Sequence, residues 1–269
     1  MDFPFREYSD EELLQEFDRM RLYKFDSPGS LKRARLGYKC SNAFFQKERM
    51  DSSSLSKVSG LQYWEENKEY IRAYSKKAGK TDLFSAVQFL NHIPAQFPPI
   101  VAACFYIKYG AAKVLDPFAG WGDRCLAAMA LGVDYIGVDS NKSLRPCFDA
   151  MTKFYPHASS VDMIYKPFET VALEKLDFDF VFSSPPFWEP NGQLSETYKF
   201  MKCKKRADFI GLFAQFIRYC TEVRKVPCCF YMSEYMAKSI PVKYDSEFAY
   251  RGAGNKRVQR YSIYCYSAR

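Results

Sequence analysis

Residues 113–132 read KVLDPFAGWGDRCLAAMALG. The first part, KVLDPFAG (113–120), is a short apolar run that ends in Asp, Pro and Gly, as a buried parallel strand does. The second part, DRCLAAMALG (123–132), predicts a helix stopped by Gly132. Between them lies the turn Asp116-Pro117-Phe118-Ala119-Gly120-Trp121-Gly122. Its glycines let the backbone turn sharply and come close to a ligand. The helix that follows presents free N–H groups to the same place. No G-K-[ST] comes after the glycines, so this is not a phosphate loop. Nor is the spacing the G-x-G-x-x-G of dinucleotide binding.

The pattern continues on both sides. FPPIVAACFYIKYG (97–110) predicts a helix begun by proline and ended by Gly110. DYIGVDSN (134–141) is a second strand, with Asp139 at its end, and a helix is expected over 143–155. A short strand near 160–164 precedes DFDFVFSSPPF (177–187), a strand that runs into a proline-rich loop. A helix over 206–224, the strand VPCCFYMS (226–233) and the alternating tail RVQRYSIYCYSAR (257–269) complete the chain. The tail reads as an edge strand or as half of a hairpin. Strands alternating with helices predict an α/β, Rossmann-like, doubly wound and mostly parallel sheet with an antiparallel C-terminal edge strand. In such sheets ligands sit at the carboxyl ends of the strands, where every motif here falls.

The first 80 residues have a different character. Ser9 and Glu12 form a capping box ahead of a helix over 9–23. An irregular basic stretch (24–50) and a loop (51–60) follow, then a helix over 61–77. Two units are expected: a small, mainly helical, basic extension (1–80) and the α/β domain (81–269).

Composition limits the chemistry. Of 269 residues only His92 and His157 are histidine, which leaves no multi-histidine metal site and argues against a Ser-His-Asp triad. The nine cysteines are irregularly spaced without a C-x-x-C, and several sit in apolar runs, so reduced thiols are expected rather than disulfides or zinc. No stretch approaches the roughly 20 apolar residues of a membrane helix. The N-terminus lacks the pattern of a signal peptide, and a cytosolic or nuclear location is the expectation. The net charge of +8 suits a polyanionic partner as well as a lysine-rich soluble surface.

Two further positions carry chemistry. An acid such as Asp139 at a strand end, about 20 residues beyond a glycine-rich turn, can accept hydrogen bonds from both hydroxyls of a ribose. It can equally cap a turn. Ser183-Ser184-Pro185-Pro186-Phe187-Trp188 follows an apolar strand. Its prolines stiffen the loop and remove donors while leaving carbonyl acceptors. That combination suits a planar base bearing an amino group.

D-P-F-A-G-x-G followed by S-P-P-F resembles the S-adenosylmethionine-dependent amino-methyltransferases of DNA, which make N6-methyladenine or N4-methylcytosine. The resemblance covers roughly residues 95–190. It implies S-adenosyl-L-methionine as cofactor, with Asp116, Phe118, Gly120 and Gly122 around its methionine part. Asp139 would hold the ribose and Asp162 the adenine amino group. Ser184 and the Pro185 carbonyl would hold the target amine, in a catalytic loop completed by Pro186 and by Phe187, which stacks on the base. Trp121 and Asp123-Arg124 stand where that family has small residues, and no separate target-recognition domain is visible. The implied activity is methylation of an exocyclic amino group in DNA. An RNA base amino-methyltransferase and a non-catalytic nucleic-acid-binding subunit are the alternatives. The preferred nucleic-acid contact is Tyr198, Lys199, Lys202, Lys204, Lys205 and Arg206, ahead of the basic residues in 24–49 and of Arg251, Lys256, Arg257 and Arg260.

Overall fold

The computed structural model describes residues 2–24, 35–53, 58–79, 82–91, 93–186, 188, 201–249 and 261–269. Its centre is a seven-stranded sheet of β1 (Lys113–Asp116), β2 (Asp134–Val138), β3 (Val161–Ile164), β4 (Phe180–Ser183), β5 (Cys228–Ser233), β6 (Ser246–Ala249) and β7 (Tyr261–Tyr266). The order is β3-β2-β1-β4-β5-β7-β6. The pairs from β3 to β5 are parallel. β7 runs antiparallel between β5 and β6. The alternating tail is therefore an interior antiparallel strand, half of the β6–β7 pair, and β6 forms the edge. Four-residue β6, alternating half-buried and exposed, gave too little sequence signal to be expected.

Strand alternation divides the core into two faces. Val114, Tyr135, Phe180, Phe182, Cys229 and Cys265 point to one cluster, while Leu115, Ile136, Val181, Cys228 and Tyr266 point to the other. The first face is covered by α5 (Pro99–Tyr109) and α6 (Asp123–Leu131), with Phe148 and Met151 of α7 (Arg145–Phe154). The second is covered by Phe209, Phe213, Phe216 and Ile217 of α8 (Arg206–Arg218), and by Met236 and Ala237 of α9 (Glu234–Ser239).

The N-terminal region joins this body. α1 (Asp10–Arg21) begins at the expected capping box, with the Glu12 amide donating to Ser9 Oγ at 3.2 Å. Its Leu13, Phe17 and Met20 lie in the same core as α5 and α6. α2 (Tyr38–Asp51) replaces part of the stretch expected to be irregular. Its buried face carries Ser41, Asn42 and Arg49 beside Cys40, Phe45 and Met50, which dilutes the apolar periodicity. Arg49 is fully buried and donates to Asn42 Oδ1 at 2.5 Å, so this basic residue faces inward rather than toward a polyanion. α3 (Gly60–Lys77) and α4 (Leu83–Asn91) form a smaller core around Trp64, Ile71 and Phe84. Among the described residues, no helix is long and apolar enough to cross a membrane.

Candidate active site

The carboxyl ends of β1, β2 and β4 lie side by side, where the strand order reverses. β1 ends at Asp116 and its loop turns through Gly120 (φ 59°) and Gly122 (φ 73°), both left-handed. A Cβ on Gly122 would lie 2.5 Å from the Phe45 ring of α2. One on Gly120 would meet nothing closer than 3.8 Å. Gly122 is thus fixed by packing, while Gly120 borders open space of the kind a ligand occupies. Gly120→Ala should carry only the left-handed penalty, roughly 1–2 kcal/mol. Gly122→Ala should cost about 1–3 kcal/mol more because of the overlap. Urea unfolding of the two variants checks the difference.

The loop is held from beneath by two acidic residues. Asp123, at the start of α6, accepts from Ser41 Oγ at 2.5 Å, Gln96 Nε2 at 3.2 Å and the Phe97 amide at 3.0 Å. Burial pushes its carboxyl up to about 6. It ties α2 to the loop, so the N-terminal region props this end of the sheet. Asp116 has no exposed surface. It pairs with Arg124 Nε at 2.7 Å and accepts from Tyr135 Oη at 2.6 Å and Ser183 Oγ at 2.5 Å. Arg124 also donates to the Phe118 carbonyl. The Asp123-Arg124 pair, unusual for the resembled family, is therefore the loop's own scaffold.

Asp139, just beyond β2, accepts from the Gly120 amide at 2.9 Å and the Asn141 amide at 2.8 Å. Asp139 is half-buried, and its carboxyl is desolvated. That desolvation, with a contribution from Asp116, pushes the carboxyl up to about 6. At the tip of β4, Ser183 is buried, Ser184 is half-exposed, and Pro185 and Pro186 are buried. One hydrogen-bonded set thus runs from the β4 tip through the β1 loop to Asp139.

Other expected residues fall elsewhere. Asp162 is not brought to this cluster. It pairs with Ile136 in the middle of the β2–β3 ladder and is exposed. Asp139 stands three residues beyond Ile136, and at about 3.3 Å per residue Asp162 lies roughly 10 Å short of the ligand edge. Beyond β3, Glu169 accepts from the Cys203 amide at 2.9 Å, and its other oxygen is buried with no hydrogen-bond partner among the described residues. Phe118 packs against Phe168 at 5.1 Å between ring centroids. Lys202, Lys204 and Lys205 are exposed ahead of α8. Arg206 stacks on Tyr235 at 4.0 Å and donates to Ser239 Oγ, so it braces α8 against α9. Phe187, Tyr198, Lys199 and the group Arg251, Lys256, Arg257 and Arg260 lie outside the described residues. Among the described residues no cluster of His, Cys, Asp or Glu could hold a metal ion. Sequence reading missed Ser41, Tyr135 and Ser183. Only the doubled serine of S-S-P-P hinted at the last of these.

Residues 111–226 match the family model of the RNA cap guanine-N2 methyltransferases. None of the curated proteins matches the chain. Similar solved structures include a Listeria monocytogenes protein assigned to the class I S-adenosylmethionine-dependent methyltransferases, 15% identical over 96% of this chain and 87% of that one, with a TM-score of 0.48. TrmN from Thermus thermophilus is 13% identical over 64% of this chain and 49% of its own, with a TM-score of 0.47. An rRNA methylase from Streptococcus thermophilus is 9% identical over 65% of this chain and 99% of its own, with a TM-score of 0.42. This chain spans about half the length of TrmN. Likenesses this remote do not decide the class. The strand order and the loop at its switch point give a Rossmann-like fold, and within it residues 111–226 are similar to a methyltransferase family.

Proposed function

We propose that this chain methylates the exocyclic amino group of a base in RNA, with guanine N2 as the first target. The observation that carries the reading is the hydrogen-bonded set that locks the S-P-P tip beside the glycine loop and Asp139. The match to a cap guanine-N2 family favours RNA over the DNA substrate that the loop motifs alone suggested. A DNA amino group is the second reading, supported by the D-P-F-A-G-x-G and S-P-P-F pair.

The residues fit the donor. Half-buried Asp139 offers a carboxylate for the ribose hydroxyls, and Gly120 leaves room above the loop. Phe118 and Gly122 shape that loop. Glu169 has an oxygen without a donor among the described residues, which suits the adenine amino group in the role expected of Asp162. When bound, S-adenosylmethionine supplies a methyl group activated by its sulfonium. The chain's own work is to hold the amine. Ser184 Oγ and the Pro185 carbonyl accept its N–H groups, which favours a more pyramidal nitrogen with its lone pair aimed at the methyl carbon. Most of the acceleration then comes from alignment, and the surplus proton leaves to water. His157 takes no part: its ring faces Ser159 and the Thr152 carbonyl. Lys202, Lys204 and Lys205 suit phosphate contacts beside the catalytic loop. A paired base would first be extruded, at a cost of a few kcal/mol.

The test is nucleoside mass analysis after separate incubations of the chain with the donor and RNA or DNA. N2-methylguanosine from RNA is expected. Methylated deoxynucleosides alone would move the assignment to DNA, and absence of donor binding would end it. Ser184→Ala should slow transfer up to roughly tenfold, the worth of one neutral hydrogen bond, with donor affinity nearly unchanged. Full-rate transfer by this variant would remove Ser184 from the site.

A further inference from the structure

We propose that Ser183, the residue before the catalytic S-P-P, is a positioning residue that sets the distance between the donor loop and the acceptors of the target amine, acting through Asp116. The proposal rests on the methyltransferase reading above.

Asp116 is the starting point. Its Oδ1 accepts from Ser183 Oγ at 2.5 Å and from the Phe118 amide at 3.3 Å. Its Oδ2 accepts from Arg124 Nε at 2.7 Å and from Tyr135 Oη at 2.6 Å. A carboxylate offers about four acceptor positions, and protein donors fill all of them. Asp116, which resemblance places around the methionine part of the donor, is thus turned toward protein donors, with the Phe118 amide shared between it and Ser183. Its role is to lock the loop.

Ser183 joins this lock from the other strand. Its hydroxyl donates to Asp116 and accepts from the Phe118 amide at 3.2 Å, so both hydroxyl functions are used. The β1–β4 ladder pairs only Val114 with Phe180 and Leu115 with Val181. It stops two residues short of Ser183. Beyond that point this side chain takes over the tie between the two strand tips. Ser184 and Pro185 follow directly, so any shift of Ser183 moves both proposed acceptors relative to the loop. Where alignment dominates the rate, a displacement near 1 Å can cost about 100-fold.

The experiment compares full-length wild type with Ser183→Ala and Ser183→Thr. Single-turnover methyl transfer, donor affinity by calorimetry and amide hydrogen exchange at Phe118 are measured on each. Ser183→Ala should transfer about 10- to 100-fold more slowly. Its donor affinity should stay within about threefold, since the Ser183 hydroxyl is engaged with Asp116 and Phe118, and exchange at Phe118 should rise severalfold because the amide keeps only its longer bond to Asp116. Ser183→Thr, which keeps the hydroxyl, should restore both. If the alanine variant does not fold, the nearly isosteric Ser183→Cys, with its weak donor, should show the same losses. Unchanged transfer and exchange in Ser183→Ala would overturn the proposal. So would a rate loss that a folded Ser183→Thr does not repair, or a fall in donor affinity as large as the fall in rate. A wild type that binds no donor would instead defeat the functional reading, and the exchange at Phe118 would still decide whether the tie exists.

Discussion

Arg124→Ala is expected to destabilise the protein by about 3–5 kcal/mol, the usual result of leaving one partner of a buried ion pair alone. The Arg124 side chain is 5% exposed and that of Asp116 not at all. With the guanidinium gone, the carboxylate keeps Tyr135 and Ser183 as neutral donors but loses its only countercharge in that salt bridge. The Phe118 carbonyl loses its guanidinium donor at the same time. The double variant Asp116→Asn/Arg124→Met removes both charges while nearly conserving volume, so it should lose clearly less than Arg124→Ala. Urea unfolding midpoints of the two variants decide it. Equal losses would show that the guanidinium's own contacts, to the Phe118 carbonyl and over the Phe97 ring, rather than the charge left on Asp116, hold the loop.

The parallel half of the fold was legible because its signals are local. KVLD and DYIGV are short apolar runs ending in turn residues, and α5 and α6 are punctuated by Pro99, Gly110 and Gly132. The β7 tail showed its alternation but not its neighbour, because strand order depends on a partner, β6, that alternates too briefly to be read. α2 was missed for the opposite reason. Its inward face is polar, and Ser41 and Arg49 find partners 82 and 45 residues away, at Asp123 and the Pro94 carbonyl. Motif spacing put Asp162 on β3 but not at its height along the strand, since spacing says which strand an acid belongs to but not how far up it sits. The internal lock of Asp116, Arg124, Tyr135 and Ser183 joins three strands and a helix, and only the folded chain brings those four side chains together.

The donor affinity should depend on pH through Asp139. Its carboxyl is raised to about 6 by enclosure, and it already accepts two backbone amides. Ribose hydroxyls donate, so they favour the ionised form. Affinity should be flat above about pH 6.5 and fall below 6, approaching tenfold per pH unit. Stability moves the other way. The folded pKa lies above the model-peptide value, so ionisation costs the folded state. This group's contribution is fully present below the ordinary carboxylate range and is lost as pH rises to about 6. Mild acid should therefore weaken donor binding without unfolding the protein through Asp139. Asp139→Ala should lower affinity at pH 7.5 by about 1.5–3 kcal/mol, roughly 10- to 150-fold, the worth of hydrogen bonds to a charged group. Asp139→Asn should bind weakly and show no step between pH 5 and pH 7.5. Asp123 titrates in the same range, but its oxygens face Ser41, Gln96 and Phe97, so Asp123→Asn should retain the step. Calorimetric titrations of the four proteins across that range separate the two acids, and a step that survives Asp139→Asn would remove Asp139 from the donor site.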